Sequence, residues 1–339
     1  MLNEDGAREE TSTTTTTTVG RPWIVLSHEE KGGGREVVTL VDLAKGVYYS
    51  REKNSIEARL RGKRVYAQGH GRVLLMNLDE AAAEAGDCVL LNVTSMVFHQ
   101  LPPWQKRVNF IYRCSLLHLP DDADSKLTVM VFGVDEDEEE NQHAVAMLCQ
   151  VGDNEWTVCE GGVRVVGAIA CQGKLYGIGF PNRFVEIEVR PKYRVRRIPD
   201  VDVPSYYIKG CFTRNYLVES CGEILFFYLH VAGNLLKNRH VNVIVDLKAY
   251  RIDVEKMKLE AVDDLGDRAF FLSSSDKCFV GSGGFGCCAS KSGFERNTIY
   301  LVNQSDSCLY AYDYGDESVS ITLSCPAVET CSMQRLVVS

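Results

Sequence analysis

The sequence predicts an all-β fold, a β-propeller of about six or seven four-stranded blades behind a disordered N-terminal tail. Three observations carry this. Apolar runs of strand length alternate with short turns rich in Gly, Asp and Ser, and helix-period patterning is almost missing. A small-x-Gly turn before an apolar strand recurs at Gly71, Gly173 and Gly222. The separations of 102 and 49 residues fit a unit of ~50 residues counted twice and then once.

Residues 1–19 pass from acids (Glu4, Asp5, Glu9, Glu10) to a threonine run, Thr13 to Thr18, with almost nothing to bury. A disordered tail is expected there, and one domain from residue 20 to 339. Strands begin at Trp23 to His28 and, after the turn Gly32-Gly33-Gly34, at Glu36 to Leu43. Val65 to Asn77 reads as a hairpin around His70-Gly71, and Ala81 to Ala85 as one helical turn. Cys88 to Asn92 leads to Val97 through Pro103, and Leu116 to Phe132 is again strand, turn, strand. Gly152-Asp153-Asn154-Glu155-Trp156 is a tight turn closing onto an aromatic, with the Trp capping a neighbouring apolar layer. Val165 to Ile178 makes another hairpin; Phe184 to Val189 and Tyr193 to Pro199 alternate like half-exposed strands. Val241 to Leu247 and Tyr250 to Val254 read as two strand segments. A ring must close, so Trp23 to Leu26 and Leu336 to Val338 are expected to share one blade.

The second half carries a more specific pattern. It contains Tyr216-Leu217-Val218-Glu219-Ser220-Cys221-Gly222-Glu223-Ile224-Leu225, then Val245 to Leu247, Leu265-Gly266-Asp267-Arg268-Ala269-Phe270-Phe271-Leu272, and Asn297-Thr298-Ile299-Tyr300. In this order the motifs resemble the plant "domain of unknown function 295" family of KIB-type β-propellers, many of which carry an F-box. The likeness extends to Leu101-Pro102-Pro103 and to the Gly152 to Trp156 turn, while Arg72 and Val93 replace the family's usual aromatic and proline. The resemblance implies a domain that captures protein substrates for a Skp–cullin–F-box ubiquitin ligase. An F-box needs about 40 residues of amphipathic helix, and only about 19 precede the first strand, so direct binding of a Skp-type adaptor is not expected. Two alternatives stay open: a stand-alone scaffold or competitor of F-box relatives, and a small-ligand binder or enzyme using the central channel.

Composition bounds these readings. The 339 residues are 45% hydrophobic and 24% charged, as in ordinary globular proteins. Lys and Arg number 37 against 46 Asp and Glu, a net charge of −9, which argues against general nucleic-acid binding. No apolar run reaches the ~18 residues of a membrane span, and no secretory signal pattern opens the chain. A monomer in the cytoplasm, the nucleus or both is expected, with unknown protein partners. The 13 cysteines lack framework spacing and read as small apolar core residues.

The residues assign no catalytic, cofactor-binding or metal-ligating group, and no enzyme is expected. Gly281 to Gly286 lacks the Lys-Ser/Thr of a phosphate loop and reads as an inter-strand loop, with Cys287 and Cys288 following in it. No C-x2–4-C pair exists; Cys149/Cys159 and Cys211/Cys221 are too widely spaced. His70 lies in a turn, His230 reads as a strand end and His240 as a loop. The acidic run Asp135 to Glu140 reads as a solvated loop. Arg190, Lys192, Arg194, Arg196 and Arg197 read as an exposed outer strand guarded against edge pairing.

Overall fold

The computed structural model describes residues 22–29, 36–42, 47–49, 63–77, 87–93, 95–104, 110–119, 126–136, 142–160, 163–204, 209, 211–236, 239–272, 284–303, 308–324 and 331–338. Among them are twenty-five strands and one helical turn, Ala289–Ser292. No helix of the described residues is long and apolar enough to cross a membrane. The predicted tail of residues 1–19 and the helical turn at Ala81 to Ala85 lie outside the described residues.

Five sheets have four strands each. One holds β4 (Arg64–Gly69), β5 (Arg72–Met76), β6 (Cys88–Asn92) and β7 (Phe98–Gln100), in sequence order. The next holds β8 (Phe110–His118), β9 (Leu127–Glu136), β10 (Gln142–Gln150) and β11 (Thr157–Glu160). Then come β12 (Val165–Cys171), β13 (Lys174–Gly179), β14 (Arg183–Glu188) and β15 (Arg194–Asp202). A fourth holds β16 (Cys211–Ser220), β17 (Glu223–Leu236), β18 (Arg239–Asp253) and β19 (Lys258–Val262). The last is mixed from the two ends of the chain. In it β1 (Pro22–Glu29), β2 (Glu36–Asp42) and β3 (Val47–Tyr49) are joined by β25 (Cys331–Val338), which lies antiparallel to β1. Trp23 faces Val337 and Ile24 faces Leu336 in that register, so the ends close one sheet as the sequence predicted.

The sixth sheet departs from the pattern. Its order is β21 (Gly284–Cys288), β20 (Arg268–Leu272), β22 (Thr298–Asn303), β23 (Cys308–Asp313) and β24 (Val319–Ser324), with β20 and β22 parallel. Regular four-stranded sheets thus number five, below the six or seven four-stranded blades expected. The extra strand is the reason, and it comes from the stretch read as a glycine-rich loop. Gly284, Gly286, Cys287 and Cys288 are strand, and residues 281–283 lie outside the described residues. Glycine is there for close approach. A Cβ on Gly284 would stand 2.8 Å from Val218 Cγ2, and one on Gly286 would stand 2.5 Å from Phe270 Cε1 and 2.6 Å from Ser220 Oγ. Only a bare backbone fits between β16 and β20.

Innermost strands adjoin around the ring: β25 beside β4, then β8, β12, β16 and β21. The core lies between facing sheets rather than in one central mass. Trp104, Val131, Met147 and Trp156 join the β4–β7 and β8–β11 sheets. Phe132, Tyr176, Phe184 and Phe226 join the β8–β11, β12–β15 and β16–β19 sheets, and Phe227, Phe270, Ile299 and Tyr312 continue into the sixth. Inner and middle strands such as β5, β6, β13 and β20 bury successive residues and so both of their faces, which is why they read as continuous apolar runs.

Two positions differ from the sequence reading for one cause. β17 and β18 form a single long hairpin, so Val241 to Val254 is not two segments. His230 is therefore inside β17 and fully buried, 3.8 Å from Asp246 Oδ2, and not at a strand end; His240 is in β18 and not in a loop. Asp135 and Glu136 of the acidic run belong to β9, and residues 137–140 lie outside the described residues.

Candidate functional site

The inner hairpins of three sheets turn in the same way. His70-Gly71, Gln172-Gly173 and Cys221-Gly222 each have two consecutive positive φ values, 50° and 67°, 48° and 73°, and 55° and 78°. That is the two-residue turn whose twist matches flanking strands, and it places glycine second at little steric cost. The repeat seen in the sequence is thus the first hairpin of three blades. Their first residues, His70, Gln172 and Cys221, are exposed at the rim.

Neighbouring turns brace one another. Gln172 Nε2 donates to the Gly222 carbonyl at 3.0 Å, the Cys171 thiol donates to the same oxygen at 3.4 Å, and the Gly222 N–H donates to Glu219 Oε1 at 2.8 Å. The His70 ring stands edge-on to that of His118, centroids 4.7 Å apart. Although His70 is open to solvent at the rim, desolvation of its ring, and then the neighbouring His118, lower its pKa to about 4, so it is neutral at pH 7.

Outward from these turns run rows of alternating charge. Lys174 pairs with Glu186 at 3.1 Å, and Arg196 with Glu188 at 3.0 Å. On the next sheet Glu223 accepts from Arg268 at 2.7 Å and from Arg251 at 3.3 Å; Arg251 also reaches Glu260 at 2.7 Å, which Lys258 meets at 3.2 Å. Hydrogen bonds from Arg251 and then Lys258 hold the Glu260 carboxyl below its ordinary pKa. Exposed pairs of this kind add little stability, so the rows are chiefly a charge pattern offered to solvent.

The motifs that stand out in the sequence are used inside the fold. Trp156 Nε1 donates to the Pro102 carbonyl at 3.0 Å, and its ring lies edge-on to Trp104 at 5.2 Å. The Gly152 to Trp156 turn of one sheet is thereby fixed to the Leu101-Pro102-Pro103 segment of the sheet before it. Asn297 Oδ1 accepts from the Leu265 N–H at 2.8 Å, and the Asn297 N–H donates to the Gly266 carbonyl at 3.1 Å. Asp267 accepts from the Ser290 N–H at 3.0 Å and the Ser290 hydroxyl at 2.6 Å, which seats the helical turn between β21 and β22. Tyr300 stacks on Phe271, 4.7 Å between centroids. Leu-Gly-Asp and Asn-x-Ile-Tyr therefore hold the inserted strand in place.

Of the nine described cysteines, Cys88, Cys114, Cys149, Cys159 and Cys171 are buried free thiols, as the core reading expected, whereas Cys211 is half-buried and Cys221 exposed, against it. Burial pushes Cys88 and Cys149 up to about 12 and Cys159 and Cys171 up to about 11. Cys287 and Cys288 are half-buried in β21, and the Cys288 thiol donates to Asp267 Oδ2 at 3.3 Å. Among the described residues no group of three or more His, Cys, Asp or Glu is placed to hold a metal ion. Of the basic stripe, Arg194, Arg196 and Arg197 are exposed on β15, the outermost strand of its sheet, as read from the sequence, while Arg190 and Lys192 are exposed in the bend before it and not in a strand. Sequence reasoning missed the rim's charge rows, because Lys174, Glu186, Glu223 and Arg251 meet only through strand register.

Sheets arranged in a ring and sealed by a strand from each end define a β-propeller. The chain belongs to the KIB1-4 beta-propeller family, which matches residues 40–320. No curated protein matches the chain in sequence. Among solved structures, the β-propeller domain of the Trilobed protease from Pyrococcus furiosus is similar over 91% of this chain and 93% of its own, at 7% identity and a TM-score of 0.41. A protein from Lactobacillus plantarum is similar over 94% and 99%, at 9% identity and a TM-score of 0.44. An Aleuria aurantia lectin variant in complex with alpha-methyl-L-fucoside is similar over 91% and 96%, at 11% identity and 0.37. These likenesses carry nothing about function.

Proposed function

We propose that this domain is a protein-interaction module whose binding surface is the rim of inner hairpin turns and the charge rows leading out from it. The observation that carries the reading is the bracing of adjacent turns through Gln172 and Gly222, which holds exposed polar groups in fixed positions. Preorganised polar groups bind without the entropic cost of ordering them first. Alternating charge selects a partner with the complementary alternation and repels others. The finer form of the proposal comes from family resemblance: the partner is a substrate brought to a Skp–cullin–F-box ubiquitin ligase in the cytoplasm or nucleus. Its counterpart is a stand-alone propeller that holds the same partners outside the ligase.

The test is affinity purification of tagged protein from plant cells, with wild type beside a Lys174→Glu/Arg251→Glu variant, read by mass spectrometry. Proteins enriched with wild type and lost with the variant support the rim. Equal recovery with both removes it. Stoichiometric Skp-type adaptor with wild type selects the ligase form, and enriched partners without adaptor select the stand-alone form.

A further inference from the structure

The outer edge of the sixth sheet carries a feature that the rim does not use. β24 is the last strand in the order of its sheet, and none of its six residues, Val319 to Ser324, is charged. The longer edge strands β15 and β19 are guarded, by Arg194, Arg196 and Arg197 and by Lys258 and Glu260, while the edge strands β3 and β7, also without Lys, Arg, Asp or Glu, are only three residues long. Charge on an edge discourages another chain from pairing with it, and β24 lacks that protection. Two of its apolar residues are open to solvent, Val319 at 48% and Ile321 at 62% exposure.

The register separates the strand's two faces. Ser320 is opposite Ala311, which is opposite Tyr300; Val319 is opposite Tyr312, and Ile321 is opposite Tyr310. Cross-strand partners share a face, so Ser320 belongs with Tyr300, and Val319 and Ile321 belong to the other side. On the Tyr300 side lies a half-open groove of about 470 Å³, with Phe294, Tyr300 and Leu309 as apolar wall and the run Ser320, Ile321 and Thr322 along the edge. Phe294 and Tyr300 stand edge-on, centroids 5.5 Å apart. Glu295 is the sole charged residue among the described residues lining the groove, and it is exposed. Asp316 and Glu317 extend the negative charge through the turn that opens β24.

We propose that β24 is a docking edge to which an extended segment of a partner protein adds as a further strand, placing a lysine or arginine side chain in the groove. Main-chain hydrogen bonds to β24 supply the pairing. One set of the guest's side chains covers Val319 and Ile321; the alternate set faces the groove. There the alkyl stem of the cationic residue lies on Phe294 and Tyr300 and its charge meets Glu295, a site suited to a long side chain with an apolar body and a positive end. The acidic turn at Asp316 and Glu317 favours a guest that is basic overall. This surface is separate from the rim, and its test does not depend on the rim reading.

The probe is a fluorescein-labelled octapeptide alternating valine and threonine with one central lysine, titrated into full-length protein by anisotropy. Its partners are the same peptide with glutamate for lysine, and a version N-methylated on the amides of one edge. The lysine peptide is expected to bind at least about tenfold more tightly than the glutamate peptide, the change expected for one charge-assisted contact. N-methylation should abolish binding. Ile321→Lys should also abolish it with an unchanged melting curve, since the side chain is exposed, and Glu295→Gln should erase the preference for lysine. Equal binding of the two peptides, or full binding to Ile321→Lys, overturns the proposal. A wild-type dimer in size-exclusion light scattering that Ile321→Lys converts to monomer also overturns it, assigning the edge to a second copy of the chain.

Discussion

In the sheet β12–β15 the strands lie in the order of the sequence, and the outermost, β15, is studded with arginine. In the sheet β20–β24 the innermost strand is out of order, backed by glycine, and the outermost carries no charge. The middle strands of both are ordinary: Phe184 in one and Phe270 in the other are fully buried between neighbouring sheets. Sheet-to-sheet packing constrains the middle of a blade, whereas its two edges are free to diverge, the inner by insertion and the outer by surface chemistry. In this protein both divergences fall on the same sheet.

The largest test breaks the inner edge. Gly286→Val should cost about 3 kcal/mol in urea unfolding, because its side chain has no room against Phe270 and Ser220. Wild-type stability in that variant would place β21 elsewhere. Removing the latch comes next: Asn297→Ala leaves the Leu265 N–H without its acceptor and should cost about 2 kcal/mol by the same assay. In the regular sheet, Gly173→Ala has open space around it and meets only the backbone penalty of a positive φ, about 1 kcal/mol. A loss as large as that of Gly286→Val would mean that both glycines act through conformation and not through contact.

Two smaller effects sharpen the contrast. Hydrogen bonds from the Ser290 hydroxyl and N–H and the Cys288 thiol hold the Asp267 carboxyl below its ordinary value of 3.8. A depressed folded-state pKa contributes stability that is complete above that ordinary value and disappears as pH falls through the lowered one. Asp267→Asn should therefore have a shallower acid limb in melting temperature against pH, and an identical limb would dismiss the contribution. Arg196→Ala, which breaks an exposed pair with Glu188, should change stability by less than about 0.5 kcal/mol. Replacing Arg194, Arg196 and Arg197 together by threonine should instead show in light scattering during heating, as aggregation from an edge that has become like β24.

Most of the regular fold was legible in the sequence, for local reasons. Gly71, Gly173 and Gly222 announce themselves because a two-residue hairpin demands glycine at a set place before each second strand. Trp23 to Leu26 and Leu336 to Val338 read as strands left over at the two ends, and ring closure pairs them. β21 escaped because glycine argues against strand by local propensity, and what overrides it is contact with Ser220 and Phe270, far away in sequence. His230 was misplaced because nothing local tells how far a strand continues, and here β16 and β18 pair with β17 on both sides at that residue. The groove beside β24 was invisible for a third reason: Glu295, Tyr300 and Thr322 are ordinary residues until register brings them together.

The closing pair also imposes an order in time. β1 is made before every other described strand, and its inner partner β25 after all of them, with about 300 residues between. At typical synthesis rates of roughly 5–20 residues per second, that leaves the inner edge of β1 unpaired for about 15–60 s on the ribosome. Its sequence, Pro-Trp-Ile-Val-Leu-Ser-His-Glu, is rich in the residues that favour pairing with any available strand. The nascent chain is thus most exposed to wrong partners at the place where the finished ring is sealed. Chaperone capture during translation should concentrate on that segment and end when β25 emerges.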